Sequence, residues 1–336
     1  MKTLSAKKTV AAALALIFGW SLHAAAQNLF VSGYQSGNIY QFMPGGVQIG
    51  FASGLNGPQG LAFNSAGNLF VADYGYPVAA DYANDITEIT PGPGGARTTV
   101  ASGLGATSLA FNSAGYLFVG SWGNGSITKI STSGAQSTFA TGLNQPSGLA
   151  FNSAGDLFEA DNGSGNIYEF TPDGTQSTFA SGLVDLEGLA FNSAGDLFAA
   201  GGISGNIYEI ALNGVQSTFA SGLGAPISLA FDSAGDLFVG NGGSFSGNIT
   251  EITPGGVHSI FASGLDESPD GLAFQPVPEP STWAMLAGGL TALLSVKRRL
   301  PFLTGTVNEV HVTRTGTKCS SPIAPNQLKH EPLKMP

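Results

Sequence analysis

Six copies of the tripeptide Leu-Ala-Phe begin at Leu61, Leu109, Leu149, Leu189, Leu229 and Leu272, and mark units spaced 48, 40, 40, 40 and 43 residues apart. Self-similarity at this period restricts a chain to folds that stack or circle one supersecondary unit. Four copies run on into Asn-Ser-Ala-Gly and a fifth into Asp232-Ser233-Ala234-Gly235. A second apolar stretch, Leu-Phe-Val or a variant, follows at Leu69, Leu117, Leu157, Leu197 and Leu237, and an additional copy stands at Leu29.

One unit shows the internal plan. Gly148–Phe151, Asp156–Asp161, Asn166–Thr171 and Thr175–Ala180 are short apolar-rich runs separated by turns of Asn, Asp, Ser, Pro and Gly. Such residues accept positive φ, preset φ or bond their own backbone, so the unit predicts four strands joined by tight turns. Four strands per roughly forty residues is the signature of a propeller blade, since leucine-rich and β-helix repeats are shorter. Composition agrees: 49 Gly, 22 Phe and only 10% charged residues point to an all-β chain.

The ends of the array supply the closure argument. It opens at Asn28–Ser32 with a second strand lacking its first, and it finishes at Gly271–Phe274 with a first strand lacking the rest. A closed ring gains by joining such fragments, because the union removes a free edge. The expectation is a six-bladed β-propeller over residues 27–276, monomeric, with one blade shared between the two ends.

Outside that span the chain carries different signals. Residues 1–26 read as a secretory signal peptide: Lys2, Lys7 and Lys8 precede the apolar stretch Val10–Phe18, and Ala24-Ala25-Ala26 offers a cleavage site. Residues 277–299 hold Pro278-Glu279-Pro280, the apolar run Trp283–Val296 and the basic cluster Lys297-Arg298-Arg299. This order resembles the PEP-CTERM sorting signal. The resemblance implies recognition by an exosortase-type membrane protease and a host that makes extracellular polysaccharide. The apolar run falls short of the roughly twenty residues of a settled membrane span, which suits a transient inner-membrane anchor with its basic end inside. Residues 300–336 are polar and aperiodic and read as a disordered tail.

Charge narrows the partners. Of twelve Lys and Arg only Arg97 and Lys129 lie in residues 27–276, against nineteen Asp and Glu, a formal charge of −17. Phosphate binding needs a basic footprint, so nucleic acid is excluded. Cys319 is the single cysteine, which leaves no intramolecular disulfide. His258 is the only histidine of residues 27–276 and falls on an expected outer strand, which argues against a histidine zinc cluster or a Ser-His pair. Lys129 stands where other units carry Gln41, Glu88, Glu169, Glu209 and Glu251, and is expected to be their charge partner.

Gly-Leu-Ala-Phe, Leu-Phe-Val-Ala-Asp and Gly-Asn-Ile-Tyr resemble the repeats of NHL and gluconolactonase-like propellers over all six units. In that family the first strand of each blade is innermost. The resemblance therefore places Gln59, Thr107, Ser147, Glu187, Ile227 and Asp270, two residues before each Leu-Ala-Phe, near the channel mouth. The second-strand ends, Gly33, Asp73, Ser121, Asp161, Gly201 and Asn241, are expected as a second ring. Together these give Gln59, Asp73, Asp161, Glu187, Asn241 and Asp270 as binding candidates, with Glu187, Asp161, Asn241 and Asp270 as a candidate oxygen set for Ca²⁺ or another divalent cation. Glu187-Gly188-Leu189 and Pro269-Asp270-Gly271 are similar to local pieces of the family's metal motifs. The acidic segment Asp232–Asp236 lacks the alternating ligands of an EF-hand and reads as a turn. The insertion Tyr74–Asp85 adds Tyr74, Tyr76 and Tyr82, aromatics suited to carbohydrate or protein contact.

No catalytic set stands out. The leading expectation is an exported binding or matrix-associated module, meeting extracellular polysaccharide or matrix protein. The alternatives are a divalent-metal lactonase or related hydrolase, and a structural envelope protein without a small ligand.

Overall fold

The computed structural model describes residues 27–75, 84–92, 95–242, 247–265 and 268–276. The signal peptide, the sorting motif Pro278-Glu279-Pro280 with its apolar run, the tail, Tyr76 and Tyr82 lie outside the described residues. Among the described residues there is no helix, and so none long and apolar enough to cross a membrane.

Six four-stranded antiparallel sheets form the blades of a propeller. Blade 3 is representative, with Pro146–Phe151, Leu157–Asp161, Asn166–Phe170 and Gln176–Ala180 in sequence order across the sheet. These bounds differ from the sequence reading by one or two residues at four of the eight ends and coincide at the other four. Blades 1, 2, 4 and 5 begin at Pro58, Ala106, Leu186 and Pro226. Blade 6 is the shared one: Pro269–Phe274 pairs with Leu29–Gly33, placing Leu29 opposite Phe274 and Val31 opposite Leu272. First strands of successive blades contact each other around the ring, and the last, Pro269–Phe274, contacts the first, Pro58–Phe63.

The recurrent phenylalanines explain the repeat. In blade 2, Phe118 of the second strand meets Phe139 of the outer strand edge-on, with ring centroids 4.9 Å apart. It also meets Phe151, the last residue of the next blade's Leu-Ala-Phe, at 5.0 Å. The same pair of contacts recurs at Phe158 with Phe179 and Phe191, at Phe198 with Phe219 and Phe231, at Phe238 with Phe261 and Phe274, and at Phe30 with Phe51 and Phe63. Edge-to-face packing of this kind adds to area burial. Blade 1 departs from the pattern, since Val100 stands where the outer-strand Phe would, and Phe70 keeps only Phe111.

Two further devices position the inner strands. Gly60 and Gly188 sit so close to the next blade that an added Cβ would lie 2.7 Å from the Thr107 carbonyl and 2.9 Å from the Ile227 carbonyl, which accounts for the glycine before Leu-Ala-Phe. Hydroxyls also stitch blade to blade: Ser32 Oγ donates to the Gln59 carbonyl at 2.6 Å, and Ser228 Oγ to the Pro269 carbonyl at 2.6 Å. The Asn-Ser-Ala-Gly segments are Asx turns, in which Asn152 Oδ1 accepts the N–H of Ala154 and of Asp156. Asp232 does the same for Ala234 and Asp236, so the acidic segment is a turn of this type.

Lys129 corrects its expected role. Its ammonium lies over the Tyr116 ring at 4.4 Å and near the Phe118 ring at 5.6 Å, an interaction with aromatic faces rather than with the glutamate column. The reason lies on the facing strand. Where blade 1 has Asn68 donating to Glu88 at 2.7 Å, and blades 3 and 4 carry Asp156 and Glu169, and Asp196 and Glu209, in these two columns, blade 2 has Tyr116 and Lys129.

Candidate channel-mouth site

The residue two places before each Leu-Ala-Phe reaches one cavity of about 410 Å³, which is lined by Gln59, Thr107, Ser147, Glu187, Ile227 and Asp270 together with Tyr74, Trp122, Gly242 and Ser268. The volume is that of a small-molecule site. Each blade contributes one of the first six residues because the innermost strands run side by side around the axis.

The hydroxyls of this ring are already engaged with backbone. Thr107 Oγ1 donates to the carbonyls of Gly120 and Pro146, both at 3.3 Å, and Ser147 Oγ donates to Leu186 at 2.7 Å. They lock adjacent blades at the rim.

Glu187 is held differently. The Asn162 amide donates to its Oε1 at 3.2 Å and to the Leu186 carbonyl at 2.8 Å. Burial, and then the neighbouring negative charges of Asp185 and Asp270, push its carboxyl up to about 7. The domain's two basic side chains are elsewhere, with Arg97 donating to the Ser53 carbonyl at 2.6 Å on the outer rim and Lys129 over Tyr116. His258 begins the exposed outer strand of blade 5.

The second ring is displaced by one residue from expectation. Gly33, Asp73, Ser121, Asp161, Gly201 and Asn241 end the second strands as buried residues, and none of them lines the cavity. Asp161 is buried, accepting the N–H of Asn144 at 2.7 Å and of Ser164 at 3.0 Å. Asp73 accepts the N–H of Asn56 at 2.6 Å, and burial raises its carboxyl to about 6. Asn241 donates to Asn248 and Thr250 inside blade 5. Because successive side chains alternate across a strand, the following residue turns toward the mouth instead. That column is Tyr34, Tyr74, Trp122, Asn162, Gly202 and Gly242; of these, Tyr74, Trp122 and Gly242 line the cavity and Asn162 bonds Glu187. Trp122, 41% exposed, was not singled out from the sequence, although its place directly after a second strand would have marked it.

The candidate oxygen set is therefore not brought together: Glu187 and Asp270 line the cavity, Asp161 accepts backbone N–H groups, and Asn241 lies inside blade 5, where its amide nitrogen donates to Asn248 and Thr250. Among the described residues no group of three His, Cys, Asp or Glu is placed to hold a metal.

No protein-family model matches the chain, and no curated protein matches its sequence. Solved structures do share the fold. Virginiamycin B lyase from Staphylococcus aureus is 18% identical, with a TM-score of 0.51 over 61% of this chain and 69% of the lyase. A chain of the nidogen/laminin complex gives a TM-score of 0.65 at 17% identity, over 75% of this chain and 99% of its own. A candidate gluconolactonase gives 0.54 at 18% identity, over 66% and 82%. At such identities the likeness concerns the fold alone: a six-bladed propeller with structural neighbours of the gluconolactonase type.

Proposed function

We propose that this propeller is an exported binding module whose ligand sits at the channel mouth. The observation that carries the reading is the convergence of one residue from each of six blades, with Tyr74 and Trp122, on a single cavity. The hydroxyls of Thr107 and Ser147 are bound to backbone carbonyls, and the only histidine of residues 27–276 lies on the outer strand of blade 5. What remains is recognition chemistry: two carboxylates, an amide and two aromatic faces. The neighbouring folds include a lyase, a candidate gluconolactonase and a member of a protein–protein complex, so the architecture is compatible with either binding or catalysis.

Export rests on the two ends of the sequence. In this reading residues 1–26 direct the chain across the inner membrane, and Pro278-Glu279-Pro280 with the segment to Arg299 is handed to an exosortase-type protease, leaving the propeller in the extracellular matrix. Pro278 stands four residues after the last strand, which ends at Phe274, so processing there spares the closing blade.

The test is a glycan and matrix-component screen with the purified protein and with Trp122→Ala. Binding that Trp122→Ala weakens without lowering the melting temperature supports the module; a uniformly negative screen favours a purely structural envelope role. Lactone hydrolysis that depends on an added divalent ion and is lost in Glu187→Gln would replace it with the hydrolase. Replacing Pro278, Glu279 and Pro280 by Ala is expected to leave a larger, membrane-retained species on cell fractionation, and unchanged processing would remove the sorting assignment.

A further inference from the structure

Tyr74 lines more than the channel mouth. It is also a wall of a second cavity, of about 510 Å³, where it is joined by Tyr34, Asn84, Ser121, Asn124 and glycine backbone. The turn that follows the second strand of blade 2 serves both spaces, since Trp122 lines the first while Ser121 and Asn124 line the second. The two cavities are therefore neighbours that share a ring and a turn.

Blade 2 departs from the blades on either side at this turn. In blades 1 and 3 the second strand ends in Asp73 or Asp161, whose carboxylate closes a loop by accepting the N–H of Asn56 at 2.6 Å or of Asn144 at 2.7 Å. Blade 2 has Ser121 at that place, 3% exposed, and its hydroxyl has no hydrogen-bond partner. Leaving a buried hydroxyl unbonded costs free energy, which a bound polar group offsets. Gly105 is built to the same end, because a Cβ there would lie 3.2 Å from Ser121 Oγ and 3.7 Å from Asn124 Nδ2 and crowd both. Gly57 in turn lets the Tyr34 ring seat against backbone, where an added Cβ would come within 2.9 Å of it.

The lining defines the ligand's chemistry. No residue that lines the second cavity is charged. Asn84 and Asn124 carry amides that offer both donors and acceptors, of which Asn124 spends one N–H on the Leu104 carbonyl at 3.1 Å. Hydroxyl groups, donors and acceptors at once, match such a surface, and the C–H faces of sugar rings match the flat rings of Tyr34, Tyr74 and Trp122. A peptide would seek an open sheet edge or pockets for apolar side chains. The second strands of blades 6, 1 and 2 are internal to their sheets, and Ile227 is the one aliphatic residue lining either cavity. An acidic glycan would meet the field of a domain with two basic and nineteen acidic side chains. Resting on the binding-module reading, we propose that the two cavities form one groove for a neutral oligosaccharide, with Trp122 stacking the sugar at the channel mouth, Tyr74 at the junction, and Tyr34, Asn84, Ser121 and Asn124 holding the sugars that follow.

The experiment is binding of the purified full chain to an array of neutral oligosaccharides, uronic-acid-containing oligosaccharides and unstructured peptides, each of graded length, followed by calorimetric titration of the tightest binder and its shorter fragments. Neutral oligosaccharides that bind about tenfold more tightly than their shortest binding fragment, and more tightly than the acidic series, support the proposal. Ser121→Ala forfeits no hydrogen bond of the free protein, so with no fall in melting temperature it should weaken the long oligosaccharide several-fold and leave the shortest fragment unchanged. Asn84→Ala should do the same, whereas Trp122→Ala should weaken both. Affinity that does not grow with length, or that Ser121→Ala and Asn84→Ala leave unchanged, overturns the extended groove while leaving the channel-mouth module standing. Trp122-dependent binding of acidic glycans or of peptides in place of neutral ones overturns the sugar assignment and likewise spares the module. If nothing on the array binds, both fall.

Discussion

Asn162 donates its side-chain amide to Glu187 Oε1 at 3.2 Å, across the boundary between blades 3 and 4. The bond ties the most perturbed group of the mouth to the residue that follows Asp161 in the neighbouring blade, and it makes the rim sensitive to protonation. Glu187 has its pKa raised from 4.5 to about 7, chiefly by burial. A carboxyl raised on folding stabilises most fully below its unfolded value, and that contribution is lost as pH rises through the folded value. The melting temperature of the wild type, measured relative to Glu187→Gln, should therefore fall between pH 4.5 and pH 7 and level off above. A difference independent of pH would mean that Glu187 is solvated in solution.

Glu159 gives a larger effect of the same sign. It is fully buried, neither carboxyl oxygen has a hydrogen-bond partner, and burial, aided by Asp161, pushes its carboxyl to about 9. The equivalent positions in the other blades are Val31, Val71, Val119, Ala199 and Val239, all buried in the core. An unsatisfied buried polar group costs on the order of 1–3 kcal/mol. Glu159→Val should stabilise the protein by about that amount at pH 8 in urea denaturation. The gain should shrink as pH falls toward 4.5 and level off below it, where the wild-type carboxyl is protonated both folded and unfolded. Destabilisation by Glu159→Val at pH 8 would show that the carboxyl is satisfied in solution.

Backbone strain marks a third position. The residue entering the first strand of blades 1 to 5 adopts a left-handed conformation, with φ of 70° at Gly57, 60° at Gly105, 64° at Gln145, 55° at Asp185 and 58° at Ala225. Glycine is relaxed there, whereas a residue with a Cβ is strained by roughly 1–2 kcal/mol. Ala225 makes no side-chain hydrogen bond that a glycine would forfeit. Ala225→Gly is expected to raise stability by about 1 kcal/mol, read as a shifted urea midpoint at constant slope. A lowered midpoint would mean that the glycine's added freedom in the unfolded chain outweighs the relief.

How much of this was legible in the sequence depends on whether a feature is repeated. The blades, their turns and the closure were readable because Leu-Ala-Phe, Leu-Phe-Val and the outer-strand Phe each supply one side of the same phenylalanine contact, so the packing is written in full five times and in part at blade 1. The inner ring was readable for the same reason, being tied to Leu-Ala-Phe by a fixed offset. Features that occur once were harder. Trp122 is a lone aromatic beyond a strand end, and seeing it at the mouth required the alternation of side chains to be followed one residue past Ser121. Asp161 and Asn241 look like ligands by type, but residue type does not tell whether a carboxylate or amide faces a cavity or closes a loop. Glu159 was not singled out from the sequence, although it is the single charge in the Leu-Phe-Val column, and its lack of a partner is a property of the packed interface.

The closing blade predicts how the ring fails. Pro269–Phe274 pairs along Leu29–Gly33, and Phe274 packs on Phe238 of blade 5 with centroids 5.0 Å apart. This one strand therefore holds both the first and the last parts of the propeller, and its loss would expose the edge of Leu29–Gly33 and uncover the inner face of blade 5. Phe274 is only partly buried, so Phe274→Ala should cost less than the roughly 3–5 kcal/mol of a fully buried phenylalanine. Phe111→Ala, at the corresponding first-strand position of blade 2, calibrates that loss. If closure is cooperative, Phe274→Ala will also speed amide exchange in Leu29–Gly33, whereas Phe111→Ala will leave that strand protected. Equal protection in both variants would mean that the blades hold their places independently, with the shared strand acting as one more local contact.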